Sequence, residues 1–254
     1  MNFFLGQLSL CDLLISTNIA PNSMHVILQN GSHISFQGCL IQLFFFGASA
    51  MTECSLLTVM SYDRYLAICS PLHYTAIMNV RLPYYLALWS WTSGCVCASI
   101  TDVIVLQLNF CYRNVIDHFF CDLGPVIELS CSDPTVVRIE VSIVTIVFGL
   151  FQFLFIVVSY ICILRSILQM SSSSGRQKAF STCSAHLTIV SIYYGTLMIL
   201  YMFPGKYYVN FNKALSFLNT VVTPLLNPII YSLRSTEIRR AITKLLCLHA
   251  KRYK

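Results

Sequence analysis

Six stretches, near residues 3–28, 39–66, 84–107, 139–164, 182–203 and 214–233, stay apolar over lengths that suit a bilayer crossing, about 20 residues each. Most connections between them are short, but one polar stretch runs from about 107 to 138. The pattern predicts an all-α membrane protein with six spans. After Arg234, the residues Ile238, Ala241, Ile242, Leu245 and Leu246 recur at helical spacing, with Arg239, Arg240 and Lys244 on other faces. A short interfacial amphipathic helix is expected there. The chain thus divides into a transmembrane bundle, 1–234, and a cytoplasmic amphipathic helix with a basic tail, 235–254.

Composition supports the membrane reading. Of 254 residues, 56% are hydrophobic and 10% charged, and the mean hydropathy is +0.70, whereas soluble domains carry roughly a quarter charged residues. The net charge of +6 points away from nucleic acid, because the basic residues gather beside the apolar runs. If the Arg64 end is cytoplasmic, only Arg113, Arg138, Lys206 and Lys213 of the 16 basic residues fall outside. The positive-inside rule then places both termini inside, as in a multi-pass protein of the plasma membrane. The opening run lacks a basic n-region and holds Asp12 in its middle, so no cleavable signal peptide is expected.

Charges inside spans carry the functional argument, because each costs at least a few kcal/mol unless paired, and marks a functional candidate. Asp63 and Arg64 sit side by side at the end of the second run, where the pair is poised to hold or release Arg64 as neighbouring helices shift. Glu53 lies eleven positions before Arg64, which returns to within about 20° of the same face roughly 16 Å away, toward one interior channel. If Glu53 meets Asp12 across the interface, the two carboxylates are either protonated and hydrogen-bonded or hold a cation such as sodium. His186, about two turns into the fifth run, is either a neutral hydrogen-bonded histidine or a switch contact to another span. Pro21 predicts a kink in the first run, and Pro224 and Pro228 flank Asn227 to make the sixth a hinge.

Other signals are weaker. The third run mixes Ser90, Ser93, Gly94 and Ala98, which permit close helix approach, with Trp89 and Trp91, either of which suits an interfacial anchor. The segments Ser70–Tyr74 and Ser171–Ser174 read as turns. Cys39, Cys111, Cys121 and Cys131 share the outer, oxidising side and suggest two disulfides in one of three pairings. The other eight cysteines read as free thiols, with Cys247 a palmitoylation candidate and Asn30-Gly31-Ser32 a glycosylation pattern. Neither a Gly-rich phosphate loop nor a His-Glu-x-x-His or Gly-x-Ser-x-Gly motif occurs, so an enzyme is not expected.

The ordered set Met60 to Cys69 (with Asp63-Arg64-Tyr65), Pro71-Leu72-His73-Tyr74, His118 to Asp122, Ser159-Tyr160, Lys178 to Leu187 and Pro224 to Arg234 resembles the odorant (olfactory) receptor family of rhodopsin-like G-protein-coupled receptors. That resemblance implies a rhodopsin-like helical bundle with six of the usual seven transmembrane helices, because Met1-Asn2-Phe3-Phe4-Leu5 resembles the start of the family's second span. It assigns the G-protein switch to Asp63, Arg64, Tyr65, Tyr160, His186 and Tyr231, and an internal polar site to Asp12, Glu53 and Asn227. Disulfides Cys39–Cys121 and Cys111–Cys131 follow from it. So does a ligand set in the outer half of the bundle: Phe46, Gly47, Ala50, Met51, Val144, Phe148, Tyr194, Leu197, Met198, Tyr201, Phe217 and Thr220. The implied partners are a small, mostly apolar odorant, a heterotrimeric G protein of the stimulatory, olfactory type, and membrane lipid, with no cofactor and no nucleic acid. A six-span transporter or channel subunit, or a non-functional receptor fragment, is the rival expectation.

Overall fold

The computed structural model describes residues 2–29, 31–111, 114–202 and 209–225. In chain order its helices are α1 (Asn2–Gln29), α2 (Phe36–Cys69), α3 (Pro71–Ile77), α4 (Leu82–Leu106), α5 (Leu123–Glu128), α6 (Thr135–Val144), α7 (Gln152–Leu168), α8 (Ser173–Met202) and α9 (Val209–Phe217). A π-helical stretch, Thr145–Phe151, joins α6 to α7 as one continuous rod, and a second, Leu218–Val222, continues α9. Among the described residues, four segments are long and apolar enough to cross a membrane: Phe3–Gln29, Phe36–Cys69, Leu82–Leu106 and Thr135–Leu168. The fifth apolar run lies in α8 as far as Met202, and the sixth starts in α9 and passes beyond residue 225. Asn30, Asn227, Tyr231 and the amphipathic segment 235–254 with Cys247 lie outside the described residues.

Burial singles out α2 as the hub. In its apolar window 61% of residues are buried, against 6% for Thr135–Leu168, whose Ile139, Ile143, Val147 and Phe151 point outward. Lipid is the solvent for such a face. The hub contributes Leu56, Leu57 and Met60 to a core shared with Phe4 and Leu8 of α1, Ile156 and Ile163 of α7, and Ile189 of α8. Along the α2–α4 seam, Ser90, Gly94 and Ala98 are buried and allow the two backbones to approach closely. Thr52 Oγ1 ties that seam by donating to Ala48 O at 2.7 Å and Ser90 O at 3.3 Å.

Three local readings change. The expected turn after Cys69 is the short helix α3, because Pro71 at its first position presets a helical φ. The expected serine turn is the start of α8, where Ser172 Oγ accepts from Gly175 N at 3.3 Å; serines at that position cap a helix rather than break it. Trp91 is no surface anchor, since its ring N–H donates to Gln7 Oε1 at 2.9 Å and ties α4 to α1; Trp89 is the exposed one. The first helix runs through Pro21 to Gln29.

One end of the bundle is closed by the segment 107–134. Cys39 at the start of α2 pairs with Cys121 (Cα–Cα 5.4 Å), and Cys111 with Cys131 (5.9 Å). Gln42 reinforces the first link: its Nε2 donates to Asn18 O at 3.0 Å and its Oε1 accepts from Cys121 N at 2.8 Å. Asn18 returns a bond to Gln42 O at 2.9 Å. Cys121→Ser should therefore loosen the cap over the bundle, costing about 2–5 kcal/mol. Cell-surface labelling and thermal unfolding in nanodiscs should both fall, whereas Cys95→Ser, at a free thiol, should change neither.

Candidate functional site

Beneath that cap lies a cavity of about 480 Å³, within the 300–1,000 Å³ that small-molecule sites occupy. Each wall has a structural origin. Helix α2 supplies Leu43, Phe46, Gly47, Ala50, Met51 and Cys54, and α8 supplies Tyr193, Tyr194 and Leu197. The outer wall is Val141, Val144 and the π-helical stretch, which presents Thr145, Ile146, Phe148, Gly149 and Leu150 to the same space. A π turn is wider than an α turn and recurs at functional sites.

Eight of the twelve expected ligand residues meet in this cavity: Phe46, Gly47, Ala50, Met51, Val144, Phe148, Tyr194 and Leu197. The side chains of Met198 and Tyr201 lie outside the described residues. Phe217 and Thr220 are not among the lining residues. Phe217 is partly exposed, with its ring 6.3 Å from that of Phe119, and Thr220 turns its hydroxyl back to Ser216 O at 2.7 Å. Phe217 is the last residue of α9, and Thr220 belongs to the π-helical stretch that follows it.

Thr101, Asp102, Asp122 and Glu140 also line the cavity and are not among the twelve expected ligand residues. The signal was available for two of them, because Asp102 and Glu140 are ionisable residues inside apolar runs, the same criterion that flags Asp12. Asp122 caps α5 by accepting Leu123 N–H at 2.8 Å. Burial pushes its carboxyl above the ordinary range, and the neighbouring His118 opposes that. Burial likewise pushes His118 below its ordinary range, with Asp122 opposing and Lys213 assisting. Lys213 pairs with Asp117 and joins α9 to the same cap.

At the opposite end, Tyr160 of α7 meets His186 of α8, with Tyr160 Oη 2.8 Å from Nδ1 and the rings stacked. The histidine is thus both buried and a contact between two helices. Asp63 is buried and accepts from Tyr74 Oη at 3.0 Å. Burial first, then the Asp63 carboxylate, raises the Tyr74 pKa and keeps the hydroxyl a donor. Arg64 lies within electrostatic reach of both Tyr74 and His186, and Tyr65 packs against the core. A groove of about 430 Å³ opens beside them between α7 and α8, lined by Leu164, Ile167, Leu168, Arg176 and Phe180.

Asp12 and Glu53 are both buried, and Cys11 feels the charge of each. They stand apart from the ligand cavity, as does Arg64; none of the three lines it. Among the described residues, no group of three or more His, Cys, Asp or Glu side chains forms a metal-binding cluster.

A helical membrane bundle with a mostly apolar cavity at its disulfide-bonded end and a histidine–tyrosine–arginine assembly at the other has the layout of a membrane receptor. A sequence model of the family described as Olfactory receptor matches residues 1–249. Similar proteins include mouse (Mus musculus) olfactory receptor 5G29, 42% identical over 96% of this chain and 78% of its own length. Human (Homo sapiens) olfactory receptors 11A1 and 13C9 are each 43% identical, over 98% and 96% of this chain and 79% of their own lengths. The chain belongs to the olfactory receptor family, multi-pass receptors of the plasma membrane that couple to G proteins.

Proposed function

We propose that this chain detects small odorant molecules in the cavity beneath the disulfide cap and passes the signal to a heterotrimeric G protein of the stimulatory, olfactory type. The observation that carries the reading is the convergence of Phe46, Ala50, Met51, Val144, Phe148 and Tyr194 on one cavity. Its surface is mostly apolar and aromatic, which suits small volatile molecules held by shape and dispersion. On this reading the described helices are part of a rhodopsin-like bundle in membrane lipid, with six spans in this sequence. Asp12 and Glu53, with Asn227, form an internal polar site whose charge is balanced by a shared proton or a sodium ion.

Signalling is a population shift. An odorant that fits the active arrangement better stabilises it by the difference in its affinity for the two states. Moving the balance from 1:99 to 99:1 takes about 5.5 kcal/mol of that difference. The Tyr160–His186 contact and the Asp63–Arg64–Tyr74 cluster are the parts that rearrange, and the groove between α7 and α8 is where the carboxyl-terminal helix of the G protein docks.

Ala50→Trp fills the cavity from the hub helix. With surface levels matched by labelling, this variant should lose at least tenfold in odorant potency in a cyclic-AMP assay. An unaltered concentration–response curve would remove the cavity from the proposal. Ligand-driven flux of a solute in proteoliposomes, without any cyclic-AMP response, would favour a transporter.

A further inference from the structure

The cavity has one polar wall that recognition by apolar shape does not use. Thr101 and Asp102 of α4, Glu140 of α6 and Asp122 at the start of α5 all line it. Asp122 is engaged already, holding Leu123 N–H and lying beside His118. Glu140 uses one oxygen, Oε1 accepting from the Thr101 hydroxyl at 2.9 Å. Its Oε2 is buried and has no hydrogen-bond partner among the described residues, and the same is true of Asp102 Oδ1. Tyr194, 2% exposed, lines the same space with its hydroxyl beside Cys54 and Thr58.

Buried polar atoms are nearly always satisfied, so each exception calls for an explanation. Two carboxyl oxygens without partners around one cavity mark a place for a guest's hydrogen-bond donors. No lysine, arginine or histidine is among the lining residues to supply them. We propose that this wall anchors a protonated amine, and that the receptor's preferred ligands are small alkyl amines. The inference rests on reading the cavity as the odorant site.

The chemistry discriminates among odorant classes. A carboxylic acid adds negative charge beside Asp102 and Glu140. An aldehyde, ketone or ester brings only acceptors, which leaves those oxygens unsatisfied. An alcohol supplies one donor and no charge. An alkylammonium supplies three donors and the opposite charge, and it stays protonated at neutral pH because such amines titrate near the lysine value of about 10.4. Its hydrocarbon part then packs on Phe46, Met51 and Phe148.

The test compares n-hexylamine, 1-hexanol and hexanoic acid, matched in length, in cells displaying equal amounts of receptor. The same three are titrated against the purified full chain in nanodiscs by thermal shift. n-Hexylamine should be at least tenfold more potent than 1-hexanol, and hexanoic acid should be inactive. The double variant Asp102→Asn with Glu140→Gln should lower n-hexylamine potency at least tenfold and cut the ratio of n-hexylamine to 1-hexanol potency at least tenfold. Equal potency of amine and alcohol, or an amine response unaffected by the double variant, overturns the amine site. If no compound raises cyclic AMP, the nanodisc titration decides. Preferential amine binding that the double variant abolishes upholds the site and counts against the signalling reading; absence of that preference overturns the site. Should the double variant fail to fold, Glu140→Gln alone, which retains an acceptor for Thr101, is read by the same criteria.

Discussion

Arg64→Ala is expected to abolish odorant-stimulated cyclic-AMP production while leaving membrane insertion and both disulfides intact. The side chain sits where three contributions meet: the Asp63 carboxylate, the Tyr74 hydroxyl bonded to it, and the Tyr160–His186 pair that joins α7 to α8. Alanine removes the only cation of that group. It leaves the packing of Leu57 and Met60 on the hub helix untouched, so the bundle should persist. A response above one tenth of the unmodified receptor, at matched surface density, would remove Arg64 from the switch.

The second large effect is structural. A Cβ placed on Gly94 falls 2.6 Å from Ala48 O and 2.5 Å from Thr52 Oγ1, and the carbonyl belongs to backbone that has no rotamer to change. In a helix interior, glycine to alanine is ordinarily favourable by up to about 1 kcal/mol. Here α2 and α4 must part, at an overpacking cost of about 1–3 kcal/mol, and the break in the Thr52–Ser90 link comes on top. Gly94→Ala should therefore lower the unfolding temperature in nanodiscs by several degrees and reduce surface display. Gly195→Ala, with no atom within 4 Å of its added carbon, should be neutral or slightly stabilising. Equal behaviour of the two variants would show that the α2–α4 seam has slack.

How much of this was legible in the sequence depended on the period of the signal. Long apolar runs announced the helices, whereas the ligand set came from the family resemblance and not from spacing. On the regular helix α2, Phe46, Ala50 and Met51 line one cavity; Phe217 ends α9 and Thr220 sits in the π-helical stretch after it, and neither lines that cavity. Hydropathy also hid the hub: α2 is no more apolar than its neighbours, and its centrality comes from small and polar residues such as Ser49, Thr52 and Ser55 that only packing reveals. Gln42 was invisible for the same reason, since a lone amide in an apolar run has no pattern to betray that it stitches α1, α2 and the cap. Asp102 and Glu140 lie on different apolar runs with no spacing relation between them, and only the packing of α6 against α4 brings them to one cavity.

The π-helical stretch between α6 and α7 has a consequence for how the receptor is altered by insertion or deletion. It stands between the cavity residue Val144 and Tyr160, the proposed switch residue, on a single rod, so the angular offset between these two side chains is fixed by that irregular winding. Removing one residue from 145–151 would swing one half of the rod by about 100° against the other. Tyr160 would then leave His186 even though no side chain near either had been touched. Point substitutions along this wall retune the ligand, whereas a single-codon deletion there disconnects reception from output.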